Sequence, residues 1–381
     1  MTAVYLDCNA TTPLDPPVKD ILFHYLCEEF GNEGSRTHEF GARAKKAVQL
    51  ARDQVAALAD ASRDEVVFTS GATESNNMVI LGLRDAARRS GKTHFITSQI
   101  EHKAVLEPFG ELERDGFEVT RLSVGPEGWV SPDDLNQALR PNTFLVSVMH
   151  VNNETGVIQP LDDLLEAIDK HETYFHTDAA QGFGKDLETL KNKRIDLISV
   201  SGHKLFAPKG VGALIVRKRN TYARPPLTPL YFGGGQERGL RPGTLPVALI
   251  AALGEACRLS ITNHAIRLQA CCDFERRLIQ TLLPLGAKIH GDTTRKLANV
   301  INISFDGLDS EALMLAVKDV VAISNGSACT SSSYSPSHVL TAMGMTPEQA
   351  NECVRFSWCH LTPAPDWGLL ETRIRSATSQ S

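Results

Sequence analysis

Lys204 stands in Ser201-Gly202-His203-Lys204, at the end of the apolar run DLISVS (196–201), and Asp178 closes another such run, YFHTD (174–178). A lysine among small and hydroxyl residues at a buried strand end is poorly placed as a solvated charge. Desolvation and neighbouring cations make such an amine nucleophilic toward an aldehyde. A carboxylate at the adjacent strand end can keep a pyridinium nitrogen protonated, so that the ring acts as an electron sink. Ser201 and His203 could bind a phosphate beside the amine. Each residue alone is more often structural; the acid at one strand end and S-G-H-K at the next make the stronger signal jointly. Other strand ends carry candidates of the same kind. EVVFTS (65–70) runs into Gly71-Ala72-Thr73-Glu74-Ser75-Asn76, which either offers a helix N-terminus to a phosphate or is a plain capped turn. HFITS (94–98) is followed by His102, either a satisfied polar residue or a ring-stacking proton shuttle. TFLVSVMH (143–150) is followed by Asn153, which can bind a carboxylate or a ring oxygen or serve a turn. Arg355 offers a planar fork that matches a carboxylate, or is a surface residue of a strand. Cys329, in SNGSACTSSS, sits in a small, polar context unlike that of a packed thiol and suits a catalytic one.

The elements that must position these residues alternate. The four runs just named, with YFHTD and ALIVRK (213–218), read as buried strands. Helical patterns lie between them, the clearest over 42–59, where Ala44, Ala47, Val48, Ala51, Val55 and Leu58 share a face and Lys45, Arg52 and Asp53 lie off it. The alternation predicts an α/β fold with a mostly parallel sheet and helices on both faces, and such sheets bind ligands at the carboxyl ends of their strands. Residues 222–246 (FGGGQERGLRPGT within them) read as a long functional loop. A helical period resumes over 245–283, then strands near 297–304 and 319–324 and helices near 309–318 and 346–353 predict a smaller α+β unit. The expected division is a large domain over 16–260 and a small one built from 1–15 and 261–381.

The 381 residues suit two domains. The net charge of -6, from 39 basic and 45 acidic residues, argues against direct nucleic-acid binding. No run of about 18 apolar residues predicts a membrane span, and the N-terminus does not read as a secretory signal. The eight cysteines therefore read as reduced thiols in a cytoplasm rather than as a disulfide framework.

The motifs FTSGATESNN, EHKAVLEP, VMHVNNETGVIQP, HTDAAQ, SGHKLFAPKGVGALIVR, RPGT and SNGSACTSSS, in that order, resemble those of the class V aminotransferase superfamily. In particular they resemble the group I, IscS/NifS-like cysteine desulfurases, from LDCNATTP at the start to VRFS at 354–357. The resemblance implies a fold-type I transferase dependent on pyridoxal 5'-phosphate, active as a homodimer with shared sites. It implies that Lys204 holds the cofactor, that Asp178 pairs with the pyridine nitrogen, that Gln181 meets the ring hydroxyl and that His102 stacks on the ring. Ala72, Thr73, Ser201 and His203 would hold the phosphate, and Thr244 would reach that of the neighbouring subunit. Asn153 and Arg355 would bind the carboxylate of L-cysteine. Cys329 would take the sulfur as a persulfide and pass it to an acceptor protein, an iron–sulfur scaffold or a DNA-modification protein, with alanine released. Three features depart from the common pattern: Gly31-Asn32-Glu33-Gly34-Ser35 replaces G-N-P-S-S, Cys359-His360 follows VRFSW, and the segment by which long-tailed relatives dock an iron–sulfur scaffold reads as short. The last points to a specialised acceptor and the DNA-phosphorothioation (DndA-like) branch. The rival readings are a selenocysteine lyase, a class V aminotransferase without need of Cys329, and a sulfur-relay scaffold with vestigial chemistry. Cys359 itself reads as a packed cysteine or a reactive one.

Overall fold

The structure is a computed structural model that describes residues 3–219, 223–325 and 336–379. Twelve strands are present among them: β1 (Val4–Tyr5), β2 (Val66–Thr69), β3 (His94–Ser98), β4 (Glu118–Leu122), β5 (Thr143–Ser147), β6 (Tyr174–Asp178), β7 (Leu197–Ser201), β8 (Gly212–Val216), β9 (Lys288–His290), β10 (Val300–Ser304), β11 (Val321–Ala322) and β12 (Val354–Ser357). Seven of them form one sheet in the order β2-β8-β7-β6-β5-β3-β4. Pairing is parallel from β4 through β7, while β8 runs antiparallel to both its neighbours. Residues 202–211, which join β7 to β8, are too few for the crossover a parallel partner would need. They double back instead, and this reversal holds Lys204.

The apolar runs are strands because both faces of the sheet are covered. Val66 and Phe68, Ile96, Val146, Ile198 and Val200, and Ala213 and Ile215 pack into one cluster with the helices Pro16–Cys27, Glu39–Leu58, Leu161–Ala167 and Val247–Thr262. Val67, Phe95, Leu145, Leu197, Leu214 and Val216 pack on the other face with the helices Ala72–Ile80, Arg84–Ser90 and Lys103–Arg114. That is the two-residue period of a strand buried on both sides. The edge strand β4, EVTRL, has no apolar run and only one buried residue, and the sequence pattern did not find it. Its charges suit an edge that must not recruit another strand.

Two readings of the sequence are corrected. The helical period over 245–283 is two helices, Val247–Thr262 and His264–Leu282, broken at Asn263. Arg52, read as lying off the buried face of its helix, is buried. Its guanidinium donates to Glu237 Oε2 and the Val66 carbonyl, both at 2.8 Å, and forms a second bond to Glu237 Oε1. A long side chain at the margin of an apolar stripe can turn inward when a partner carboxylate waits there.

A second core lies apart from the large sheet. Leu6, Leu278, Leu282, Ile301, Ile303, Phe305, Val354, Phe356 and Trp358 are among its buried residues. It surrounds the antiparallel sheet β12-β10-β9 and the parallel pair β1-β11. No helix of the described residues is long and apolar enough to cross a membrane.

Candidate active site

β3, β5, β6 and β7 are parallel, and β2 shares their direction through its antiparallel pairing with the reversed β8. Their carboxyl ends therefore open on one edge of the sheet. A cavity of about 690 Å³ lies there, lined among others by Ala72, Thr73, His102, Asn153, Asp178, Gln181, Ser201, His203, Lys204 and Arg355. Ten residues singled out from the sequence thus meet in one space. Thr244 does not line it and is exposed on the loop after β8. Cys329 lies outside the described residues, while Pro336, shortly after it in the chain, lines the cavity.

Asp178 ends β6 with its carboxylate fixed on both oxygens. Asn76 Nδ2 donates to Oδ2 at 2.7 Å, and the Ala180 N–H donates to Oδ1 at 2.9 Å. Lys204 lies in the turn after β7, and its Nζ donates to the carbonyls of Ala10, at 2.7 Å, and Asn9. Gln181 Nε2 also donates to the Asn9 carbonyl, at 2.9 Å. His102 caps the helix Lys103–Arg114, its Nδ1 accepting from the Ala104 N–H at 3.1 Å, which leaves Nε2 to carry the proton of a neutral ring. Burial holds the His102 pKa below its ordinary 6.5; the charge of Asp178 opposes this, while Lys204, His338 and Lys103 add to it. His203 is pushed down to about 4 by burial and by Lys204, Lys209 and Lys185.

The residues fit a phosphorylated pyridine aldehyde. The helix Ala72–Ile80 begins at Gly71 with no side-chain cap, so its first N–H groups have no partner inside the helix and face the cavity. Gly71 adopts φ +150, and Gly212 brings the β8 backbone so close that a Cβ there would lie 2.6 Å from Gly71 Cα. Ser201 and His203 stand beside this cradle. The amine, the anchored carboxylate and the imidazole complete the set that a pyridoxal group requires.

Arg355 is 1 % exposed in β12; Nη2 reaches Asp7 Oδ1 at 2.6 Å and Nη1 donates to the Asn153 carbonyl at 3.0 Å. Asp7 therefore already engages one edge of the fork expected to meet a substrate. The sequence reading missed Asn76, although it lies in the quoted TESNN segment one helical turn from Ala72. It also missed Glu101, fully enclosed, with Oε1 accepting from Ser98 Oγ at 2.7 Å and the Met149 N–H at 2.9 Å. Burial raises the Glu101 pKa to about 8 against these two donors, and the charge of Asp178 adds to the rise. Its signal was only an acid next to His102.

Residues 4–366 match the family described as Aminotransferase class-V. A protein of Arthroderma benhamiae named "Cysteine desulfurase, mitochondrial" is 46 % identical over 355 residues, covering 93 % of this chain and 70 % of that one. The crystal structure of DndA from Streptomyces lividans superposes with a TM-score of 0.82 at 48 % identity, covering 93 % of this chain and 98 % of that one. A structure of SspA in complex with cysteine gives a TM-score of 0.83 at 38 % identity, covering 95 % and 100 %. This chain belongs to the pyridoxal-phosphate-dependent class V aminotransferase family, among its cysteine desulfurases.

Proposed function

We propose that the chain is a cysteine desulfurase that converts L-cysteine to L-alanine and leaves the sulfur as a persulfide on Cys329. The observation that carries the reading is the convergence of Lys204, Asp178 and His102 with the uncapped helix start at Ala72 on one cavity. Bound there, pyridoxal phosphate would supply an electron sink for the carbanion formed at the substrate's α-carbon. Lys204 Nζ would hold that group and, once displaced by the substrate amine, take the α-proton. Asp178, held by Asn76 and Ala180, would face the ring nitrogen, and Gln181 the ring hydroxyl. Ala72, Thr73, Ser201 and the neutral His203 would hold the phosphate, and His102 would stack on the ring with Nε2 free to pass a proton. Asn153 and Arg355 would orient the substrate carboxylate, which must share the guanidinium with Asp7. The Cys329 thiolate would attack the substrate sulfur: the S–S bond forms, the Cβ–Sγ bond breaks with its electron pair left on carbon, and a proton added at Cβ with the α-proton returned by Lys204 gives alanine. Seven chain steps separate Cys329 from Pro336 at the cavity wall, a tether of at most about 25 Å, long enough for a thiol to enter.

The reading includes a homodimer in which the exposed Thr244 reaches the partner's phosphate site, a cytoplasmic location, and a division into units at 16–260 and at 1–15 with 261–381. The separate second core and its own sheet support that division. The acceptor we assign is a DNA-modification protein in preference to an iron–sulfur scaffold, supported by this chain's 48 % identity with DndA. Copurification with an iron–sulfur scaffold alone would count against that assignment.

The test is turnover by protein reconstituted with pyridoxal phosphate. L-cysteine should yield alanine and, with a reductant, sulfide. Cys329→Ser should keep the absorbance of the bound cofactor and form no persulfide, whereas Lys204→Ala should lose both the lysine-linked absorbance and turnover. A Cys329→Ser protein that hands on sulfur at the normal rate would refute the assignment. Transamination, or turnover of selenocysteine alone, would establish one of the rival enzymes. Sulfur carriage without alanine formation would mark a relay scaffold.

A further inference from the structure

Cys8 and Cys359, near opposite ends of the chain, are buried side by side against Phe206. The backbone fixes their approach: Asp7 bridges Ser357, and the Cys8 N–H donates to the Ser357 carbonyl at 3.0 Å. The two thiols pack in one small cluster, and Cys359 Sγ accepts from Thr362 Oγ1 at 3.6 Å. A second, smaller pocket of about 60 Å³ reaches Cys359. Lys185, Arg267, Cys271 and His360 line it too, and exposed Leu268 marks its mouth. The space holds a few water-sized molecules.

We propose that Cys8 and Cys359 form a modification site, a dithiol that a hydroperoxide entering by this pocket converts to an intramolecular disulfide. The groups around Cys359 favour its role as the attacking sulfur. The neighbouring Cys8 thiol lowers its pKa, burial opposes this, and Thr362, the Leu361 N–H and Lys185 lower it further. Cys8 is displaced upward by its neighbour Cys359 and by burial, so it keeps its proton. Lys185 supplies the positive charge; burial pulls it down to about 8, and the charges that stabilise its ammonium are those of Cys8, Cys271 and Cys359. Burial pushes Cys271 up to about 12, which leaves it the weaker nucleophile.

The step balances with one peroxide. The Cys359 thiolate attacks an oxygen of hydrogen peroxide, the O–O bond breaks, and the hydroxide takes from the Lys185 ammonium the proton the thiol had given up and leaves as water, giving a sulfenic acid. Cys8 sulfur then attacks that sulfur, the S–S bond forms, the S–O bond breaks, and the second water carries away the Cys8 proton. Two thiols are oxidised and one peroxide is reduced. The site adjoins the large cavity through the chain itself. Cys8 precedes Asn9, whose carbonyl accepts from Lys204 Nζ and Gln181 Nε2, and Lys185 Nζ donates to Gln181 Oε1 at 3.5 Å. Disulfide formation would therefore alter the support of Lys204 and with it the bound cofactor's absorbance. That consequence rests on the function proposed above; the disulfide does not.

The experiment treats cofactor-loaded Cys329→Ser protein with hydrogen peroxide, so that the sulfur-accepting thiol cannot react. Digestion without reductant should yield a Cys8–Cys359 linked peptide pair about 2 Da lighter than the sum of the free peptides, restored by dithiothreitol. Cys8→Ser in the same background should stop at a dimedone-reactive Cys359, and Cys359→Ser should leave Cys8 unmodified. Recovery of both cysteines as free thiols after peroxide, or a Cys359–Cys271 link instead, would overturn the site. A linked pair with an unchanged cofactor spectrum would overturn its coupling to Lys204. Untreated protein that binds no cofactor at all would sink the enzyme reading and leave the dithiol result standing.

Discussion

His102 owes its chemistry to two contacts that its sequence position alone does not declare. Its Nδ1 is occupied by the Ala104 N–H, and its burial among Lys204, His338 and Lys103 outweighs the nearby charge of Asp178. The ring therefore stays neutral to lower pH than an ordinary imidazole, and a residue of this kind contributes on the order of 10² to 10⁴ in rate. His102→Gln should lower kcat by about that range. In the parent enzyme the acid limb of the kcat profile should fall below pH 6.5, since the His102 pKa lies below that value and the neutral form is the working one. An acid limb above pH 6.5 that disappears in His102→Gln would contradict the assignment of a depressed pKa. The sequence pointed to Lys204, Asp178 and His102 because each stands in a motif at or just after a strand end, and the fold brings all three to one cavity. Asn76, which orients Asp178, went unread because a helical asparagine shows no sign of its partner until the helix is docked on the sheet.

The loop after β8 shows how one element is held by another. Glu237 and Arg238 adopt φ of 48° and 57°, a region unfavourable to residues with a Cβ. The Glu237 carboxylate compensates with the buried Arg52 guanidinium and the Phe68 N–H at 2.7 Å, tying the loop to the helix Glu39–Leu58 and to β2. Removing one member leaves a buried charge without its partner, which costs about 3–5 kcal/mol. Glu237→Ala should therefore lose about that much unfolding free energy, measured by denaturant titration. A loss below about 1 kcal/mol would show that the loop is held otherwise. Leu240 and Thr244 lie just beyond this anchor, so the same variant should also weaken cofactor binding if Thr244 serves the partner's site. Element boundaries were legible where a local signal existed, as in the apolar runs of β3 and β7. They were not legible at β4, whose edge position removes the apolar run, or at Asn263, where the helical pattern continues across the break.

For the molecule as a whole, the carboxyl ends of the strands gather ionisable groups, Glu101 among them fully buried, and stability should depend on pH accordingly. Glu101 has an ordinary pKa of 4.5 and is raised by burial to about 8 in the fold. The folded chain thus binds a proton that the unfolded chain releases. The contribution of Glu101 is fully present below pH 4.5 and is lost as pH rises toward 8. The loss across that window is on the order of 4 kcal/mol. Glu101→Gln, which carries no such proton, should gain on the parent protein progressively from pH 5 to pH 8 in unfolding free energy. A difference between the two that does not vary with pH would show that Glu101 is ionised in the fold.

The sequence by itself determined the α/β alternation, the strand ends that bear the amine, the acid and the imidazole, and the family to which they belong. Those follow from local period and local motif, which neighbouring residues encode. Only the tertiary structure decided that Asn76 serves Asp178, that Arg52 turns inward to Glu237, that Asp7 shares Arg355, and that Cys8 meets Cys359. Each of these joins residues far apart in the chain. Their meeting depends on how whole elements pack, a choice made by the buried surface of many residues at once rather than by the two that touch.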